Sequence, residues 1–202
     1  MSGVPTLQFR AWSGQHESSR SAIFPPDHIS PLSKAYSQQA NMSKPSISLT
    51  HAFTMTLTVG SPHATPGTPV GDRSFIPVTG GTVKGEGVEA KVTPNGGDFA
   101  IVRDGYGKLD VRVHAITQNG EALYIQYYGH LEVNPAVAKI LGGDASAQST
   151  NFDDQYLLTT PVIEAPATSN LAWLNRTVFV GKGRFEISSD GLAVVYEVFK
   201  AK

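Results

Sequence analysis

Residues 109–131 read LDVRVHAITQNGEALYIQYYGHL, two alternating runs around Asn119-Gly120. Side chains along a strand point to opposite faces in turn. Asp110, Arg112 and His114 therefore share one face of the first run, and Tyr124, Gln126, Tyr128 and His130 share one face of the second. Leu109, Val111, Val113 and Ala115, with Leu123, Ile125 and Leu131, make the other face an apolar wall. The turn fixes how the runs pair. A two-residue turn sets His114 opposite Ile125 and mixes the faces. A three-residue loop with Gly120 left-handed sets His114 opposite Tyr124, Arg112 opposite Gln126 and Asp110 opposite Tyr128. Only the second arrangement keeps both faces pure, so it is the one expected.

The same pattern extends to either side of this hairpin. His51, Phe53, Met55, Leu57 and Val59 alternate with Ala52, Thr54, Thr56 and Thr58, a strand with one apolar face. Further short runs lie at residues 74–78, 82–84, 88–93, 98–103, 156–165, 177–181, 184–188 and 193–200. Gly80-Gly81, Asp104-Gly105, Gly181-Lys182-Gly183 and Asp190-Gly191 punctuate them as turn signals, because glycine reaches positive φ without steric penalty. The stretch from Gly60 to Asp72 reads as a loop. Helix is expected only at Pro135–Leu141 and around Asn170–Leu174. The fold class is all-β: a single antiparallel β-barrel of about ten short strands. Residues 1–44, rich in Ser, Gln and Pro and without periodicity, read as an irregular N-terminal arm ahead of a barrel domain at 45–202.

Bulk composition narrows the function. With 16 basic residues against 17 acidic ones and a formal net charge of -1, the chain has no field to attract nucleic acid. It contains no cysteine, which excludes disulfides, thiolate metal sites and a thiol nucleophile. No apolar run approaches the ~18 residues of a membrane span, and residues 1–41 lack the apolar core of a signal peptide. The expectation is a cytoplasmic protein whose partner is a small molecule, with neither nucleic acid nor membrane involved and self-association left open. His114 and His130 fall at opposite ends of the hairpin without a third ligand, so no metal is expected, and no other cofactor.

Four segments resemble domain-of-unknown-function family 3237, in order and in spacing. They are GDRSFIPVTGGTVKGEGVEAKV at 71–92, NGGDFAIVRDGYGKLDVR at 95–112, TQNGEALYIQYYG at 117–129 and YLLTTPVIEAPATSNLAWLNRTVFVGKG at 156–183. The resemblance covers roughly residues 49–200 and implies a compact β-barrel. It also points to Arg73, Gly80-Gly81, Asp98, Asp110, Arg112, Thr117 and Trp173-Leu174-Asn175. The sequence departs from the family pattern at Asn119, usually Asp, and at Phe99, often Trp or Tyr.

Two readings of Asp98 stand side by side: a general base poised by burial, or an acceptor for backbone N–H groups of the preceding turn. Asp110 and Arg112 read either as a solvated surface pair or as an interior pair, with Arg112 holding a carboxylate or enolate oxygen. The purity of the hairpin faces, with the resemblance, leads to the expectation that the Asp110, Arg112, Tyr124 and Tyr128 face lines a pocket. The candidate catalytic residues are thus Asp98, Asp110, Arg112 and His114. Arg73, Tyr124, Gln126, Tyr128, Trp173 and Asn175 are the candidates for binding substrate. These side chains suit proton transfer, hence a cyclase, isomerase or dehydratase of a carbonyl-bearing small molecule such as a secondary metabolite. A lipocalin-like barrel that binds a ligand without catalysis is the alternative, and an interaction module whose surface is the polar face is a third reading.

Overall fold

The computed structural model describes residues 44–202; the N-terminal arm read from the sequence, but for its last residue, Lys44, lies outside the described residues. Ten strands follow one another: β1 (Leu49–Val59), β2 (His63–Thr68), β3 (Gly71–Gly85), β4 (Val88–Val92), β5 (Gly97–Arg103), β6 (Tyr106–Thr117), β7 (Ala122–Glu132), β8 (Leu157–Glu164), β9 (Phe179–Ser188) and β10 (Gly191–Ala201). The helix α1 (Pro135–Leu141) lies between β7 and β8, and a 3-10 turn at Ala172–Arg176 lies between β8 and β9. All pairings are antiparallel, and β1 pairs with both β10 and β3, which closes the sheet. The result is an eight-strand antiparallel barrel with two extra strands. β4 and β5 fill one position in the ring in succession, each lying between β3 and β6.

Three expectations change once the chain is folded. The runs at 74–78 and 82–84 are one 15-residue strand, β3, which continues through Gly80-Gly81. Gly81 has φ +140, and a Cβ there would meet the Thr56 carbonyl oxygen at 2.0 Å, so the glycine lets β1 and β3 touch and does not make a turn. β9 likewise runs unbroken through Gly181-Lys182-Gly183, because a Cβ on Gly183 would meet Leu157 and the Tyr196 ring at 2.6–2.7 Å. The stretch read as a loop at residues 60–72 contains β2, an exposed strand on β3.

The β6–β7 hairpin takes the three-residue loop. Gly120 has φ +81, and His114 faces Tyr124, Arg112 faces Gln126 and Asp110 faces Tyr128. Leu109, Val111, Val113, Ala115, Leu123, Ile125 and Leu131 are buried in the core. That wall is not purely apolar, since Tyr127 stands in it and is fully buried. Phe53, Met55 and Leu57 of β1 and Val198 of β10 join the same core. Each such side chain contributes about 1.5–3 kcal/mol by leaving water.

α1 begins where Asn134 caps it, accepting from the Val137 N–H at 3.0 Å, with Pro135 at its first turn. Val137 and Ile140 are its buried face. Around the 3-10 turn, Trp173 packs on Phe179, which in turn packs on Phe53. Among the described residues, no helix is long and apolar enough to cross a membrane.

Candidate functional site

Inside the barrel is a cavity of about 510 Å³. Its walls are mostly aliphatic, with Leu57, Val78, Val111, Leu157 and Val194 among them. Asp98, Tyr127 and Tyr196 supply polar groups. Exposed residues border it: Ser61 and Pro62 after β1, Gly142 to Asp144 after α1, and Ile187 and Gly191 beside the β9–β10 turn. The volume is within the ~300–1,000 Å³ typical of small-molecule sites.

Asp98 reaches the interior because it pairs with Val111 on β6 and Ile76 on β3, both of which line the cavity. Beyond Asp98 the β5–β6 pairing skips Phe99 and Ala100 and resumes at Ile101. The Asp110 N–H there donates to Asp98 Oδ1 at 2.9 Å. A carboxylate thus stands in for a missing ladder acceptor. Burial pushes the Asp98 carboxyl up to about 6; the Asp110 N–H pulls it down and the Asp110 charge adds to the rise. Of the two readings of this residue, the backbone acceptor role is present, though toward β6 and not toward its own turn. The raised pKa that suits a general base is present with it.

Tyr127 and Tyr196 face each other with ring centroids 5.4 Å apart and an interplanar angle of 65°. Burial raises both phenols above their ordinary value; the Tyr196 phenol adds to the rise of Tyr127, and the Asp98 charge acts on both. Neither phenol is among the residues expected from the sequence. The signal for Tyr127 is its odd position, in phase with Leu123, Ile125 and Leu131. Tyr196 is in phase with Val194 and Val198 on β10.

The remaining candidates lie elsewhere. Asp110, Arg112, His114, Tyr124, Gln126 and Tyr128 come together, but on the outer face of the sheet. Arg112 Nη1 is 3.0 Å from Asp110 Oδ1, with the two side chains 42% and 32% exposed. The Tyr124 hydroxyl donates to Gln126 Oε1 at 3.1 Å, and Gln126 Nε2 donates to the Tyr128 hydroxyl at 3.2 Å. Tyr128 is 55% exposed, and the His114 ring lies 5.4 Å from that of Tyr124. The expectation that this face lines a pocket is therefore corrected. Strand alternation allows each strand one inward face, and the aliphatic faces of β6 and β7 take it. Arg73 is exposed on β3. Trp173 lies under Lys200 Nζ, 5.5 Å from the ring, and packs on Phe179. Asn175 accepts from the Ala165 N–H at 2.7 Å and donates to the Ala165 carbonyl at 3.0 Å. Its amide thereby ties the end of β8 to the 3-10 turn. None of these three residues lines the cavity.

A sequence model of the family described as "Protein of unknown function (DUF3237)" matches residues 47–201. A UPF0311 protein of Rhodopseudomonas palustris is 29% identical over 138 residues, which is 68% of this chain and 88% of that protein. The crystal structure of a conserved protein of unknown function from the same organism has a TM-score of 0.69 at 27% identity, covering 79% of this chain and all of the other. A β-barrel-like protein from Acinetobacter baumannii has a TM-score of 0.61 at 24% identity, over 80% of this chain and all of the other. A protein from Penicillium herquei described as an enzyme has a TM-score of 0.52 at 15% identity, over 77% of this chain and 98% of the other. The last two likenesses are of fold.

Proposed function

The chain belongs to the DUF3237 family of proteins of unknown function, and from that premise and the cavity we propose that it is an enzyme acting by proton transfer on a small carbonyl-bearing molecule inside the barrel. One observation carries the reading: an acid with its pKa near 6 lies in an otherwise apolar wall, beside two buried phenols. A general base is most effective when its pKa is close to the working pH. In this mechanism the Asp98 carboxylate takes a proton from the carbon next to the carbonyl. A phenol of Tyr127 or Tyr196, kept protonated by burial, donates to the oxygen as negative charge develops there. In a β,γ-unsaturated ketone, return of the proton at the γ-carbon gives isomerisation. In a β-hydroxy ketone, the enolate re-forms its carbonyl and expels the β-hydroxyl, which leaves as water with the proton held by Asp98. The Asp110 N–H fixes the carboxylate in place. That the same fold houses a protein described as an enzyme is in keeping with this reading.

The predominantly aliphatic wall favours a second reading, a non-catalytic carrier of an apolar ligand. Proton exchange separates the two. Decan-2-one incubated with the protein in D₂O and followed by NMR should lose its α-protons faster than in buffer. Asp98→Asn should slow that exchange by about 10²-fold or more. Binding of the ketone without accelerated exchange would leave the carrier reading in possession.

A further inference from the structure

Among the described residues, those that line the cavity include no Lys, Arg or His. The ionisable acids are Asp98 in the wall and Asp144 at the border. Alternation is the cause: Lys108, Arg112 and His114 occupy the outward positions of β6, whose inward positions are Leu109, Val111 and Val113. The Ser146 N–H donates to Asp144 Oδ1 at 2.7 Å and, with the nearby Lys139 charge, holds that carboxyl below its usual range. Asp144 is thus an anion at the border, and Lys139 is not among the lining residues. Inside, little but aliphatic surface and two phenols separates a ligand from Asp98. Low-dielectric walls strengthen whatever charge interaction remains.

We infer that the cavity selects by charge: it admits an apolar molecule whose one polar group is uncharged or cationic, such as a ketone, an alcohol or an amine, and it rejects carboxylates, phosphates and sulfates. This rests on the cavity being the ligand site. It also narrows the substrate class, because a keto acid or a phosphorylated metabolite would meet the Asp98 and Asp144 carboxylates and, among the described residues that line the cavity, no cation. A ketone of the same length could accept from a Tyr127 or Tyr196 phenol, and an amine could donate to the Asp98 carboxylate.

Titration calorimetry on the full chain at about pH 8, where Asp98 is ionised, tests this with decan-2-one, decylamine and decanoate. The ketone and the amine should bind at least ~10-fold more tightly than decanoate. In Asp98→Asn, which keeps the oxygen that accepts from the Asp110 N–H, the preference for ketone over decanoate should shrink to within about threefold. Decanoate binding as tightly as the ketone would overturn the charge selection while leaving the cavity a ligand site. Unchanged discrimination in Asp98→Asn would overturn the assignment of that selection to Asp98. Binding of none of the three compounds would remove the ligand site itself, and the selection with it.

Discussion

Burial lifts the Asp98 carboxyl from an ordinary 3.8 to about 6, so the folded chain holds this proton more tightly than the unfolded one. The stabilisation from the protonated form is complete below about pH 3.8, declines from there to about 6 and is absent above. Above pH 6 the ionised carboxylate therefore costs stability, of order 3 kcal/mol for a rise of about two units. Asp98→Asn, neutral at every pH and still able to accept from Asp110, should raise the melting temperature at about pH 8. That gain should fade toward about pH 4. A carboxylate that merely capped a turn would show the reverse, a loss of about 1 kcal/mol on replacement. Arg112→Ala should leave decan-2-one binding and exchange unchanged, because the guanidinium lies outside the barrel against Asp110; calorimetry on the variant checks it. The position of Asp98 at the start of β5 was legible from the preceding Asn95-Gly96-Gly97 stretch, and its candidacy came from that position and the family pattern. Tyr127 was not, because a phenol counts as polar by type while its phase along β7 puts it among the core residues.

The strands were legible to the extent that their alternation was regular, and the glycines were the points of failure. Turn glycines and close-packing glycines look alike in sequence. Gly120 and Gly105 do turn the chain, at φ +81 and +79, whereas Gly81 and Gly183 sit inside strands. Their roles differ by what lies opposite, which only the closed sheet supplies. Gly81→Ala should cost about 3 kcal/mol or more, by driving a methyl group into the Thr56 carbonyl and straining φ, as measured by chemical denaturation. Asn175→Ala removes two hydrogen bonds that secure Ala165 and should cost about 1 kcal/mol, with ligand binding unchanged. That outcome would mark Asn175 as a clamp between β8 and the 3-10 turn.

Among the described residues, the strands of the eight-strand ring and the two extra strands all lie between Leu49 and Ala201. A chain starting at Met42 should therefore unfold within a few degrees of the full chain and bind decan-2-one equally well; thermal unfolding and calorimetry measure both. The barrel itself was legible from about ten alternating runs and their spacing. Which face of β6–β7 turns inward was not, since both faces were internally consistent and only closure decides between them. Closure gives the interior to aliphatic residues and isolates one acid among them, and the functional reading depends on that isolation. Titration of the Asp98 side-chain carboxyl carbon by NMR, assigned by comparison with Asp98→Asn, tests it most directly. A midpoint at about 6 is the predicted result. A midpoint in the ordinary range near 3.8 would mean that Asp98 is solvated, and would contradict both the acid–base role and the charge selection built on it.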